Sequence, residues 1–129
     1  AKFETTSSGV SVTGSVSDSL GNLRDIPYNG NTSARTLAAA DAGKVIANTS
    51  GGWVIPNDVF STAGNTVTLL NDSGSDQNIN ASALTYLYNT ADGANIKAST
   101  IALGARAMAT IYFTAATKGY IQSSKITVS

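Results

Sequence analysis

Short runs in which apolar and polar residues alternate, each closed by turn residues, recur along the whole chain. Val10, Val12 and Val16 fall opposite Ser11, Thr13 and Ser15, which predicts a half-buried strand broken at Gly14. Asp18 to Asn22 reads as a turn, and Leu23 to Ile26 as a short strand stopped by Pro27. Trp53-Val54-Ile55, held between Gly51-Gly52 and Pro56-Asn57, predicts a short buried strand. Asn65 to Leu70 sets Val67 and Leu69 against Thr66 and Thr68. Leu84, Tyr86 and Tyr88 alternate with Thr85 and Leu87, a sharing of faces that favours burial of both tyrosines. In Ala105 to Ala115, Ile111 and Phe113 face one way and Met108, Thr110 and Tyr112 the other; Ile121 to Val128 closes the series.

Eight or nine short strands at roughly ten-residue spacing predict an all-β protein, an antiparallel β-sandwich or jelly-roll-like barrel, rather than βαβ units. One short helix competes with strand near 36–43, where alanines follow Ser33 and precede Gly43, though the stretch barely has the length for one. No repeat of 20–50 residues is visible, which argues against a solenoid. The 129 residues fit one domain. The expected division is an N-terminal arm at 1–9 and a single β-rich domain at 10–129.

Composition sharpens this picture. Ser, Thr, Asn and Gly account for 55 of the 129 residues, which suits turns and exposed strand faces and weakens helix interiors. An apolar share of 42% is enough for a core and excludes a disordered chain. Eight basic and eight acidic side chains leave no net charge, and the scattered Lys and Arg form no basic stripe. That excludes an electrostatic grip on nucleic acid or an anionic membrane. No run reaches the roughly 18 apolar residues of a membrane span. Few charges also leave strand edges unprotected by Lys or Glu, which points to pairing with sister chains.

Chemistry is sparse. Without His or Cys the commonest general base and the thiolate nucleophile are missing. No G-x-S-x-G elbow presents a serine. The acids Glu4, Asp18, Asp25, Asp41, Asp58, Asp72, Asp76 and Asp92 lie, Glu4 apart, in or beside turns, where Asp serves its own backbone. No enzyme activity, catalytic residue or cofactor is expected. The oxygen-rich stretch Asn71-Asp72-Ser73-Gly74-Ser75-Asp76-Gln77-Asn78 is a candidate Ca²⁺ loop, but it lacks the EF-hand order and its bidentate Glu; a polar hairpin loop is the plainer reading. Trp53 reads as core or subunit interface in preference to an exposed sugar platform. The N-x-[ST] triplets at Asn31, Asn48, Asn71 and Asn80 are those expected by chance in so Asn-, Ser- and Thr-rich a chain.

Several stretches resemble a module of tailed-bacteriophage virion surface proteins, marine and cyanobacterial phages above all. Ala1-Lys2-Phe3-Glu4-Thr5-Thr6-Ser7-Ser8-Gly9-Val10 is similar to the strand-turn-strand leading into fibre ends. Leu23-Arg24-Asp25-Ile26-Pro27, then Thr36-Leu37 and Asp41-Ala42-Gly43-Lys44, resemble an R-x-I-P … T-L-x-x-x-D-A-G-K pattern. Val54 to Phe60, Thr68 to Ser73, Leu87 to Gly93 and Ala105 to Ile111 follow in the same order, while Lys118 to Ser129 is longer and more polar than that module's ending. The resemblance implies a homotrimeric structural protein of the virion surface, made in the host cytoplasm. Two placements follow: a capsid decoration (cement) protein bound to the phage capsid protein, or the receptor-binding end of a tail fibre carried on its shaft and meeting a host surface glycan. With an initiator Met removed ahead of Ala1 the chain would be whole, which favours decoration, since a fibre end hangs on a long shaft. The expected interface is Lys2, Phe3, Glu4 and Thr5 of the arm, adding to a neighbour's strand edge, together with Trp53.

Overall fold

The structure, a computed structural model, describes residues 2–19, 21–22 and 25–129. The strand expected over Leu23 to Ile26 begins outside the described residues, as does the arginine of the R-x-I-P motif. The protein is all-β. Its chain order is β1 (Lys2–Thr6), β2 (Gly9–Thr13), β3 (Ser17–Asp18), β4 (Gly21–Asn22), β5 (Tyr28–Asn31), β6 (Arg35–Thr36), β7 (Val45–Asn48), β8 (Trp53–Val54), β9 (Thr66–Asn71), β10 (Gln77–Asn80), β11 (Tyr86–Asn89), β12 (Ile101–Leu103), β13 (Met108–Ala115), β14 (Lys118–Gln122) and β15 (Ile126–Val128).

A six-stranded sheet in the order β11-β14-β13-β9-β7-β5 and a five-stranded sheet in the order β15-β12-β10-β8-β6 share one core as a sandwich. From Tyr28 to Asn80 the chain alternates between them, and each strand lies parallel to the one before it in its own sheet. The first half of the sandwich is therefore wound as three two-strand coils. Antiparallel pairing dominates only in the second half, through β9 with β13, β13 with β14, β10 with β12 and β12 with β15; β11 joins β14 in parallel. The sheets are thus mixed, and strands of two to four residues account for a count above the expected eight or nine.

The coils turn on asparagine. Asn31, Asn48 and Asn71 lie in register across β5, β7 and β9. The Asn48 Oδ1 accepts the Ser50 N–H, and its Nδ2 donates to the carbonyls of Ser33 and Gly52, both at 2.8 Å. The Asn71 Oδ1 likewise accepts the Ser73 N–H, while its Nδ2 donates to Ser75, Leu103 and Gly104 carbonyls at 2.8–3.0 Å. Buried Gln77 bridges the corners, its Nε2 donating to the Asn48 carbonyl and the Asn71 Oδ1, its Oε1 accepting the Gly52 N–H. An asparagine amide can turn the chain by holding its own backbone two residues on and still satisfy carbonyls of the next coil. Gly52 is required where it stands: its φ is +68°, and a Cβ there would run into the Asn78 carbonyl.

Inward positions alternate as the pleat demands. Ile46, Leu69 and Ala109 lie side by side in one sheet, and Trp53, Ile79 and Ile101 in the other. Phe60 stacks on Phe113 with ring centroids 4.5 Å apart. Trp53 is 1% exposed, and its indole N–H donates to the Ile46 carbonyl. The short helix weighed for 36–43 is a 3₁₀ turn at Ala39–Asp41. Thr36 belongs to β6 and the Leu37 N–H bonds to the Val54 carbonyl, so too little chain is left for a helix. Buried Asp41 finishes the turn by accepting the Ala38 N–H, both contacts from the Arg35 guanidinium and the Asn29 amide. The D-A-G-K motif is thereby explained as a corner of the first coil.

The N-terminal segment stands apart from this core. β1 pairs with β2 in register from Lys2 with Thr13 to Thr6 with Gly9, so the arm is a hairpin over 2–13 and the boundary expected at residue 9 cuts through it. The expected strand forms, stops before Gly14 and holds Val12 half-buried, but Val10 is 58% exposed and Val16 is exposed too.

Candidate functional site

Two surfaces hold most of the large apolar side chains that the fold leaves in solvent. One is the N-terminal segment, with Val10, Val16 and Ile26 exposed. Of the expected interface, Glu4 and Thr5 lie in β1 with exposed side chains, and Lys2 and Phe3 lie in the same strand. Trp53 is not with them; it is core, and this corrects its place in the interface and removes it as a sugar platform.

The other surface is the outer face of the six-stranded sheet, which carries all five tyrosines. Tyr88, Tyr120 and Tyr112 form one row across β11, β14 and β13, with Tyr86 beside Lys118 in the adjacent row and Tyr28 on the edge strand β5. Tyr86 is 42% exposed and Leu87 fully buried, the reverse of the predicted phase. Leu84 sits in a turn, its N–H bonded to the Ala81 carbonyl, so the alternation restarts after it. The rings pack on one another: Tyr86 and Tyr88 are parallel within 8° at 5.5 Å, and Tyr88 and Tyr120 are 5.3 Å apart. The Lys118 ammonium lies 5.7 Å from the centroids of both Tyr88 and Tyr120, a cation over two ring systems.

Beside this stack the loop after β11 leaves a cleft of about 400 Å³, lined by Tyr88, Asn89, Thr90, Gly93, Lys118 and Tyr120. That size is within the range of small-molecule sites. The stretch 71–78, weighed above for Ca²⁺, is not the hairpin loop expected, because β9 and β10 lie in different sheets; within it the Asn71 Oδ1 takes donors from Ser73 and Gln77, and Asp72 pairs with Arg106. Among the described residues no three of His, Cys, Asp and Glu come together. Also among the described residues, no helix is long and apolar enough to cross a membrane.

What the fold and these surfaces define is a class, an all-β sandwich wound as coils in its first half and presenting an N-terminal hairpin and a tyrosine face. No family model matches the chain, and no curated protein or solved structure is significantly similar to it.

Proposed function

We propose that this chain is a structural protein of a tailed-bacteriophage virion surface, a capsid decoration protein that binds the shell non-covalently and acts through contact rather than chemistry. The observation that carries the reading is the hairpin over 2–13, whose residues from Glu4 to Ser11 are all exposed. An isolated two-stranded hairpin is marginal in water, and a third strand or a packing surface is what makes such a unit stable. Capsid protein supplies that surface, and the hairpin's outer edges take a neighbour's strand by main-chain pairing. Val10, Val16 and Ile26 then become contacts instead of wetted apolar side chains. Copies of the same chain, arranged as a trimer, are the further partners in this reading. The edge strand β5, Tyr28-Asn29-Gly30-Asn31, carries no charge that would oppose such pairing.

The test is deletion of residues 1–13. The truncated chain is expected to keep the melting temperature of the parent within about 2 °C, because the core residues described all lie between Leu37 and Ile121, while occupancy on the particle falls about ten-fold or more. Unchanged occupancy removes the arm from the account. The alternative, a receptor-binding end of a tail fibre, is favoured by the tyrosine face, which a decoration protein does not need.

A further inference from the structure

We infer that the cleft between the tyrosine stack and the loop after β11 is a binding site for a carboxylate-bearing sugar, a uronic-acid-type unit. Lys118 is half-buried between Tyr88 and Tyr120 and pairs with no carboxylate among the described residues. Asp92, the acid in the adjoining loop, has its Oδ1 accepting the Ala94 N–H, and the outer face of the sheet carries no acid in its strands. Lys118 thus faces the cleft with two aromatic rings and no directly paired carboxylate.

Asn89 adds a polar group to the same cleft. It is 8% exposed and lines the cleft. Its Oδ1 accepts the Ala91 N–H, but its Nδ2 finds no acceptor among the described residues. That amide reaches solvent at the cleft wall, where a group with acceptor oxygens can take it. Aromatic rings supply contact for the apolar C–H face of a sugar, Lys118 meets its carboxylate, and Asn89 and Thr90 meet its hydroxyls. A bare phosphate or acetate has no apolar face to set against the rings, and a neutral sugar leaves Lys118 unpaired. The inference is independent of head or tail placement, so it can fail on the isolated chain without touching the particle assignment.

The experiment is an NMR titration of the full chain with sodium glucuronate, with glucose and sodium acetate as separate probes. Glucuronate is expected to shift the resonances of Tyr88, Asn89, Lys118 and Tyr120 with a Kd of roughly 1–10 mM, the range for so small a ligand, and at least ten-fold tighter than either control. Lys118→Met keeps the aliphatic stem and removes the charge; it should weaken glucuronate ten-fold, leave glucose unchanged and keep the native melting temperature. Tyr120→Phe, which keeps the ring packing, should bind glucuronate within a factor of about three of the parent. Glucuronate no tighter than acetate would make this a plain anion site, and glucuronate no tighter than glucose would remove the role of Lys118. Either result overturns the inference, as does undiminished binding in Lys118→Met.

Discussion

Replacing Asn71 by alanine is expected to destabilise the protein by about 4 kcal/mol, roughly a quarter or more of the stability of an ordinary domain. The side chain is fully buried and makes contacts that water cannot replace. Its Nδ2 serves the carbonyls of Ser75, Leu103 and Gly104, and its Oδ1 receives the Ser73 N–H and hydroxyl and the Gln77 amide. Alanine strands these groups inside, at about 1–3 kcal/mol for each that finds no new partner. Asn71→Asp should be worse, since a carboxylate oxygen then faces three carbonyl oxygens. Asn80→Ala is the control: Asn80 makes the same turn to Ser82 but is exposed, and its loss should cost about 1 kcal/mol or less. Urea unfolding with an unchanged m-value measures the difference. A loss below about 1 kcal/mol at Asn71 would refute the corner as a structural joint.

The second large effect is at Trp53. Trp53→Ala removes a side chain that is 1% exposed and leaves a cavity between the sheets, for an expected cost of about 3–5 kcal/mol. The Ile46 carbonyl loses the indole N–H as well. Trp53→Phe keeps most of the volume and should cost about half as much. Calorimetric melting checks both, and at a temperature where the Ala variant is folded its binding to particles should equal the parent's. Reduced binding by a fully folded Trp53 variant would return that residue to the interface.

The parts of the fold that were legible in the sequence are those where alternation is long and clean. Thr66 to Asn71 and Met108 to Ala115 form strands with the predicted residues inside, and Trp53 is buried between its glycines. The coils were not legible. Their second strands have only two to four residues, too few for a period to register, and their corners at Asn31, Asn48 and Asn71 are spaced unevenly, by 17 and then 23 residues. The signal was present as the N-x-[ST] triplets: Asn48, Asn71 and Asn80 each hold the backbone N–H two residues on, so the triplet marks a turn. The tyrosine face was missed because Tyr and Leu both count as apolar. In Tyr86-Leu87-Tyr88 alternation alone does not say which partner faces the core. The N-terminal valines mislead for a related reason: a hairpin with one apolar edge has the same pattern whether its partner is in the chain or on another molecule.

The central claim is that this protein lives on the surface of a virion and holds on through its N-terminal hairpin. Gold-labelled antibody against the chain, applied to intact particles from a lysate, tests it most directly. Label spread over the heads is the predicted result, lost when the particles carry the chain deleted for residues 1–13. Label confined to tail tips would contradict the decoration assignment in favour of the fibre end, and particles that take no label would contradict the virion reading itself.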